Sequence, residues 1–281
     1  MKIHAVLVML LVTAGGLATP AHAQRRVSDL PNAPTVRQRR LLVSHRLELT
    51  PLFESTINAD FRHILGGGAK LEYHLNDMFS LGLIGVASTA LDTKLVDKIV
   101  PTLEKDINNA TREPSQAEFT NRLNTMPLHG AAFVSVTPWY GKLAAFAQAY
   151  VAFDFYFQAG VAFAQLKSDC PSSVCSDRSP GQTFTDANNM MIFADNNPNN
   201  DPPLNSGSRV GLYLGGGIHV FLNDFLALDM TVRDYAFNDN PSGADFNADL
   251  FVSDADSRFL HHLFFGVGVS VMLPTTVKRT P

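Results

Sequence analysis

The stretch RVGLYLGGGIHVFLNDFLALDMTVRDYAF, residues 209–237, predicts two β-strands joined by a tight turn. Apolar side chains stand at nearly every second position of each arm, with Gly, Thr or a charged residue between them. A period of two is typical of strands, because successive side chains point to opposite faces of a sheet. Asn223 and Asp224 separate the arms, and both residue types favour tight turns because their side chains bond nearby backbone.

The same alternation recurs along the chain and predicts eight strands. Each has one apolar face and one face of Gly, Ser, Thr and scattered charges. A strand that crosses an outer membrane needs about ten residues whose side chains alternate between lipid and lumen. The predicted fold class is therefore all-β, a closed antiparallel transmembrane β-barrel of eight strands with long extracellular loops. The predicted strands cover approximately residues 45–58, 61–75, 78–89, 128–138, 153–165, 209–222, 225–237 and 259–273.

The connections between these strands alternate in length. Two short ones repeat the sequence Leu-Asn-Asp and are predicted to be periplasmic turns, at Asn76 and Asp77 and at Asn223 and Asp224. Three long polar ones are expected outside the cell, because outer-membrane barrels have short periplasmic turns and long extracellular loops. These long loops span residues 91–126, 166–208 and 238–258.

An even number of strands places all three long loops on one side and both chain ends in the periplasm. The stretch 139–152 is then expected to be a periplasmic connection, unless it contains extra strands. Within the first long loop, apolar residues recur every four positions and predict a helix, which Pro101 would kink or split. Those residues are Leu91, Leu95, Ile99, Leu103 and Ile107.

The N-terminus predicts a cleaved secretory signal peptide over residues 1–23. It has a basic start at Lys2, a short apolar run and an Ala-His-Ala end, with cleavage expected after Ala23. The apolar run is shorter than the roughly 20 residues of a membrane-spanning helix. Cleavage would leave a periplasmic extension at 24–39, the barrel at 40–273 and a C-terminal tail at 274–281. A buried N-terminal helix is the alternative.

Composition narrows the class of protein. The chain is 46% hydrophobic and only 17% charged, below the roughly 25% charge of soluble domains. This apolar surface fits a membrane barrel, although a soluble β-sandwich is an alternative. The net charge of −4 argues against a nucleic-acid partner, because phosphates attract basic proteins.

The two cysteines, Cys170 and Cys175, are predicted to form a disulfide within a loop. Exported proteins enter an oxidising compartment, where paired cysteines usually join. A closed zinc site typically needs four ligands, so a metal site is the weaker alternative. We expect no metal and no cofactor.

Charged residues on the predicted inner face form a candidate network inside the barrel. Buried charges must be paired, because unpaired burial is costly, and the interior of eight strands is just filled by side chains. The expected result is a plugged lumen, and a narrow ion path is the alternative. The network residues are Arg46, Glu48, Lys70, Glu72, Asp154, Arg209, Asp229 and Arg233.

Three parts of the chain carry a family resemblance: residues 41–81, the Thr-Pro-Trp-Tyr-Gly-Lys box at 137–142, and Phe-Asp-Phe-Tyr at 153–156. They resemble the outer membrane beta-barrel domain-containing proteins of myxobacteria and their relatives, over about residues 40–273. The resemblance implies an outer-membrane barrel, usually without an assigned activity, and some barrels of this kind are linked to gliding-motility complexes. One departure is the tail after Leu273, since many such barrels end on an aromatic residue of the last strand.

The sequence predicts no catalytic site. His129 and Ser135 suggest lipid-modifying chemistry, but they lie on one strand, about 20 Å apart at roughly 3.3 Å per residue. That separation exceeds the hydrogen-bond reach that a nucleophile and its base require. The leading hypothesis is a structural or interaction protein. Its expected partners are outer-membrane lipid, the barrel assembly machinery and envelope proteins reached through the outer loops. A channel and an enzyme follow as weaker alternatives.

Overall fold

The computed structural model describes residues 43–103, 116–145, 149–168, 183–185, 191–193, 206–243, 246 and 254–275. The predicted signal peptide, the extension at 24–39, and Cys170 and Cys175 lie outside these residues, so their predictions stay untested.

Eight antiparallel strands close into a barrel, which confirms the predicted fold class. The strands are β1 Leu47–Thr56, β2 Arg62–His74, β3 Phe79–Asp92, β4 Thr125–Ala145, β5 Ala149–Lys167, β6 Thr183–Thr185, β7 Met191–Phe193, β8 Gly207–Phe221, β9 Leu226–Asp239 and β10 Arg258–Leu273. Around the barrel they follow the order β1-β10-β9-β8-β5-β4-β3-β2, and a separate short hairpin, β6–β7, lies between β5 and β8 in the chain.

The barrel closes at a seam between its first and last strands. The β1–β10 register runs from Leu47 opposite Leu273 to Thr56 opposite Phe264. Every barrel strand thus has a neighbour on both sides, and closure of this kind removes the free edges that an open sheet would expose.

The predicted connection over 139–152 is wrong, because both neighbouring strands continue through it. β4 extends to Ala145 and β5 begins at Ala149, with Trp139 opposite Phe155 and Ala145 opposite Ala149. The β4–β5 register shifts between Val136 and Trp139, and such an irregularity changes which face each later side chain occupies. The described residues of this stretch add no strand to the barrel, so the count of eight stands for the part of the chain that the structure describes.

The described residues of the first long loop form two short helices. Helix α1 covers Lys94–Ile99, a 3-10 turn covers Val100–Thr102, and helix α2 covers Gln116–Arg122. Pro101 lies in the 3-10 turn, so the predicted helix ends where the proline was expected to break it. It also begins later than predicted, because Leu91 belongs to β3. A further 3-10 turn covers Asp254–Asp256.

Within the described residues, no helix is long and apolar enough to cross a membrane.

Candidate functional site

The strand alternation places polar and charged side chains inside the barrel. In β1, Glu48, Thr50 and Glu54 are buried, while the intervening Leu49 and Phe53 are exposed. The same parity buries Lys70 and Glu72 in β2, Asp154 in β5, His219 in β8 and Asp229 and Arg233 in β9. Buried charged side chains are thus concentrated in the lumen, which is the candidate site in the described part of the chain.

Lys70 lies at the centre of this lumen. Its ammonium is fully buried and lies 3.0 Å from Glu48 Oε1, 3.1 Å from Asp229 Oδ2 and 3.3 Å from Glu72 Oε2. The carboxylates come from three different strand positions on β1, β9 and β2. One buried cation therefore pairs with three buried carboxylates, and because unpaired buried charge is costly, further donors are needed around these anions.

His219 extends this cluster to β5. Its Nδ1 lies 2.9 Å from Asp154 Oδ1, and its Nε2 lies 3.3 Å from Glu48 Oε1. The same Nε2 also lies 3.5 Å from Lys70 Nζ. The two nitrogens of the ring thus connect the Lys70 cluster to Asp154. The ring also stacks on Tyr156, with centroids 4.4 Å apart.

A second polar group lies towards the loop end of the lumen. Glu54 Oε1 lies 2.5 Å from His129 Nε2, and Glu54 Oε2 accepts a hydrogen bond from Arg233 at 3.0 Å. Aromatic rings surround it, because His129 stacks on Phe264 at 4.9 Å and meets Tyr235 edge-on at 5.0 Å. These side chains fill the cross-section of the barrel at this level.

Lumen-facing glycines make room for the large side chains. A Cβ added at Gly217 would overlap the Tyr156 hydroxyl, and one at Gly266 would overlap the Arg233 guanidinium. The space that these glycines leave is therefore occupied by Tyr156 and Arg233, both fully buried. Large and small residues interdigitate, as they do in close-packed protein interiors.

Two of the predicted network residues, Arg209 and Arg46, lie away from this centre. Arg209 has the inward parity but is only half-buried. It lies ten residues before His219 on β8, about 33 Å at roughly 3.3 Å per residue. Conversely, Glu54, His74 and His129 belong to the network but were not predicted from the sequence. His74 Nε2, for example, lies 3.0 Å from Glu48 Oε2. Glu54 continues the inward parity of Glu48, so that signal was present in the sequence.

Arg46 lies just before β1 and joins three segments at the predicted periplasmic end. Its guanidinium donates to the backbone oxygens of Asp224 at 2.8 Å, Met272 at 3.1 Å and Pro274 at 2.9 Å. Burial lowers the pKa of this guanidinium, and the Asp224 carboxylate opposes that effect. Arg46 therefore acts as a clamp between the start of β1, the end of β10 and the turn at Asp224, and it is not a member of the central cluster.

The two predicted turns have the same construction. Asn76 Oδ1 accepts hydrogen bonds from the backbone of Met78 and Phe79, at 2.8 and 2.7 Å. Asn223 Oδ1 accepts them from Phe225 and Leu226, at 2.9 and 2.8 Å. The neighbouring Asp77 and Asp224 are exposed, and Asp77 accepts a bond from the Ser44 backbone at 3.1 Å.

His129 does not meet Ser135 in the structure. The nearest hydroxyl contact of its ring is Ser88 Oγ, 3.5 Å from Nδ1, with Glu54 on the other nitrogen. The order serine, histidine, carboxylate is that of a nucleophile and its base. However, the Ser88 hydroxyl donates to the Met126 carbonyl oxygen instead, and the His129 side chain is fully buried.

One group of lumen side chains has the composition of a metal site. Ligand atoms of Glu48, His219 and Asp229 all lie within 4.8 Å of one another. The Lys70 ammonium, however, lies 3.0 and 3.1 Å from the two carboxylates. A divalent cation among these ligands would meet the lysine charge at close range, so this arrangement fits an internal ammonium better than a metal ion.

The outer face of the barrel is apolar. Large hydrophobic side chains from several strands are more than half exposed, including Phe53, Leu83, Val161 and Leu214. Monomeric soluble proteins rarely expose apolar patches of more than a few hundred Å². An apolar band on the outside and charges inside is the distribution that a lipid-facing barrel requires.

No protein-family model and no curated protein matches the chain. The chain is similar to solved structures of outer-membrane barrels at very low identity. The N-terminal β-barrel domain of OprF from Pseudomonas aeruginosa is 9% identical, with a TM-score of 0.38, and the match covers 82% of this chain and 98% of that one.

OprG from the same organism is 11% identical, with a TM-score of 0.37 and coverage of 82% and 96%. The attachment invasion locus protein Ail of Yersinia pestis is 9% identical, with a TM-score of 0.34 and coverage of 82% and 99%. At such identities and scores neither the fold nor an activity is inferred from these likenesses; the fold is given by the strand pairing of the chain itself.

Proposed function

We propose that this protein is an integral outer-membrane barrel of a Gram-negative bacterium, with a plugged lumen and a structural or interaction role performed by its outer loops. The observation that carries the proposal is the contrast between the two faces of the barrel wall. Outside, apolar side chains are exposed; inside, Lys70, Tyr156 and Arg233 are fully buried and matched to partners. In a soluble β-sandwich these exposed apolar side chains would be in contact with water.

The proposed export, location and partners are based on the sequence. An N-terminal signal peptide cleaved after Ala23 would export the chain, and the barrel assembly machinery would insert it. The resemblance to myxobacterial outer-membrane barrels supports the same location. Envelope proteins that meet the long loops are the proposed partners, and no enzymatic activity is proposed.

Membrane fractionation followed by gel migration with and without heating tests the location. We expect the protein in the outer-membrane fraction, with a different migration after heating, because a closed barrel resists detergent until it is heated. Recovery as a soluble periplasmic protein with unchanged migration would contradict the proposal.

The runner-up function is a narrow channel for ions or small solutes. The interdigitated lumen favours the plug over the channel, since eight strands leave an interior just wide enough for side chains. A steady conductance of the purified wild-type barrel in planar bilayers would favour the channel instead. Changes in lipid acyl chains upon overexpression, lost in His129→Ala, would favour an enzyme.

A further inference from the structure

A cavity of about 290 Å³ lies at the loop end of the barrel, above the plugged lumen. Its floor consists of Ile64, Met126 and Leu166, which are buried members of the apolar core. The cavity volume equals the share of about ten water molecules at roughly 30 Å³ each. A pocket of this size with an apolar floor suits a small organic molecule.

The cavity exists because the seam strands have unequal lengths. β1 ends at Thr56, and its pairing with β10 ends there, apart from a bond from Ile57 N to Leu263 O at 2.9 Å. β10 begins earlier, at Arg258, and its first residues pair with β9. The notch left beside them is bounded by residues 58–62 on one side and 260–263 on the other.

Most ionic groups around this notch are already matched to one another. Asp239 accepts hydrogen bonds from Asn124 Nδ2 at 2.5 Å and lies 3.0 Å from His262 Nε2. The Arg62 guanidinium donates to Asp92 at 2.8 Å and to two backbone carbonyls of the first long loop, at 2.6 and 3.1 Å. These groups shape the walls, but their hydrogen-bonding capacity is largely used.

Asp60 differs from its neighbours. Its backbone carbonyl accepts a bond from Thr93 Oγ1 at 2.8 Å. Its side chain is exposed and lines the cavity, and in the described part of the chain no hydrogen bond or ion pair engages the carboxylate. A carboxylate without a partner beside an apolar floor is complementary to a molecule with a cationic head and an apolar body.

We propose that this notch binds a small organic ammonium compound, a primary amine on an aryl or short alkyl body. The apolar part lies on Ile64, Met126 and Leu166, and the ammonium group pairs with Asp60. The proposal goes beyond the structural role proposed above. It does not depend on which side of the membrane this end of the barrel faces.

A matched pair of probes tests this on the full-length barrel in lipid nanodiscs. 2-(4-Fluorophenyl)ethylamine and 2-(4-fluorophenyl)ethanol share one body and differ in head group, and ¹⁹F NMR reports binding of each. Empty nanodiscs measure partition into lipid. We expect saturable binding of the amine and about two- to fivefold weaker binding of the alcohol, the size of the contribution that an exposed ion pair makes.

Three variants separate the parts of the site. Asp60→Asn removes the preference for the amine, and Leu260→Trp fills the cavity and abolishes binding of both probes. Asp224→Asn, at the opposite end of the barrel, leaves binding unchanged. If a heat-modifiable wild-type barrel binds no amine beyond empty nanodiscs, or if Asp60→Asn binds both probes as the wild type does, the proposal is overturned and the proposed function stands.

Discussion

Lys70 is the residue on which the charge balance of the lumen depends most directly. Its ammonium lies within 3.3 Å of three carboxylates, those of Glu48, Glu72 and Asp229. Lys70→Met keeps the length of the side chain but leaves these anions with less compensation. Removing one partner of a buried ion pair costs about 3–5 kcal/mol, so we expect a loss of this size in the free energy of unfolding.

Urea unfolding in detergent or lipid vesicles measures this loss, from the shift in transition midpoint. Lys94→Met is the matched control, because Lys94 is exposed at the start of α1. Equal midpoints for the two variants would show that the carboxylates have found other compensation, and the central role given to Lys70 would be wrong.

At the scale of the residue, the sequence predicts which face of the barrel wall a side chain occupies but not which side chain it contacts. Parity along each strand places Glu48, Lys70 and Asp229 inside. Which of them meet depends on the strand register and on the height of each residue along the barrel, and neither is visible in one strand alone. Arg209 shows the limit, since it has the inward parity but lies far along β8 from His219.

At the scale of the strand, glycine is required where the backbones of neighbouring strands approach closely. A Cβ at Gly160 in β5 would overlap the Ala132 carbonyl oxygen of β4, whereas a Cβ at Gly85 in β3 would meet nothing within 4 Å. We therefore expect Gly160→Ala to lower the free energy of unfolding by about 1–3 kcal/mol, the usual cost of overpacking. Gly85→Ala serves as the control and is expected to be tolerated in the same urea titration.

The turn after β8 depends on one amide side chain. Asn223 Oδ1 accepts two backbone hydrogen bonds, and each such bond contributes about 0.5–1.5 kcal/mol. We expect Asn223→Ala to destabilise the barrel by about 1–2 kcal/mol, while Asn223→Asp retains the acceptor oxygen and most of the stability. Thermal or urea midpoints of the two variants decide this, and equal losses in both would exclude the side-chain bonds as the cause.

Strand positions were predictable where alternation was strong and were missed where it was weak. The end of β4 and the start of β5 contain Leu143, Ala144, Ala145 and Ala149, and a run of apolar and small residues has no period of two. Pairing with the opposite arm of the hairpin extends both strands there, and such tertiary pairing overrides the weak β-propensity of alanine.

At the scale of the whole molecule, the filled lumen predicts that the wild-type barrel carries no steady current. Tyr156 is fully buried and occupies space left by Gly217, whereas its neighbour Phe157 is 52% exposed on the outer face. Tyr156→Ala should therefore open a water-filled path and raise single-channel conductance in planar bilayers. Phe157→Ala, one residue away, should not. Equal conductance of the two variants would contradict the plug.

The architecture as a whole was the most predictable level. Eight alternating stretches, an even count and two classes of connection length suffice to specify a closed barrel with its turns on one side. The loop contents were not predictable, because the β6–β7 hairpin and α2 lie in polar segments where no period dominates. The notch beside Asp60 depends on the lengths of β1 and β10 relative to each other, which strand patterns define only to within a few residues.

The clamp at Arg46 has a consequence for the time course of folding. It links residues 226 positions apart in the chain, and the β1–β10 register beside it joins equally distant segments. Contacts of such long range form slowly, because the entropy of closing the intervening loop is lost before the contacts form. Until the two ends meet, β1 and β10 each keep an open edge that invites aggregation. Closure of the seam between β1 and β10 is therefore expected to be the rate-limiting step of folding.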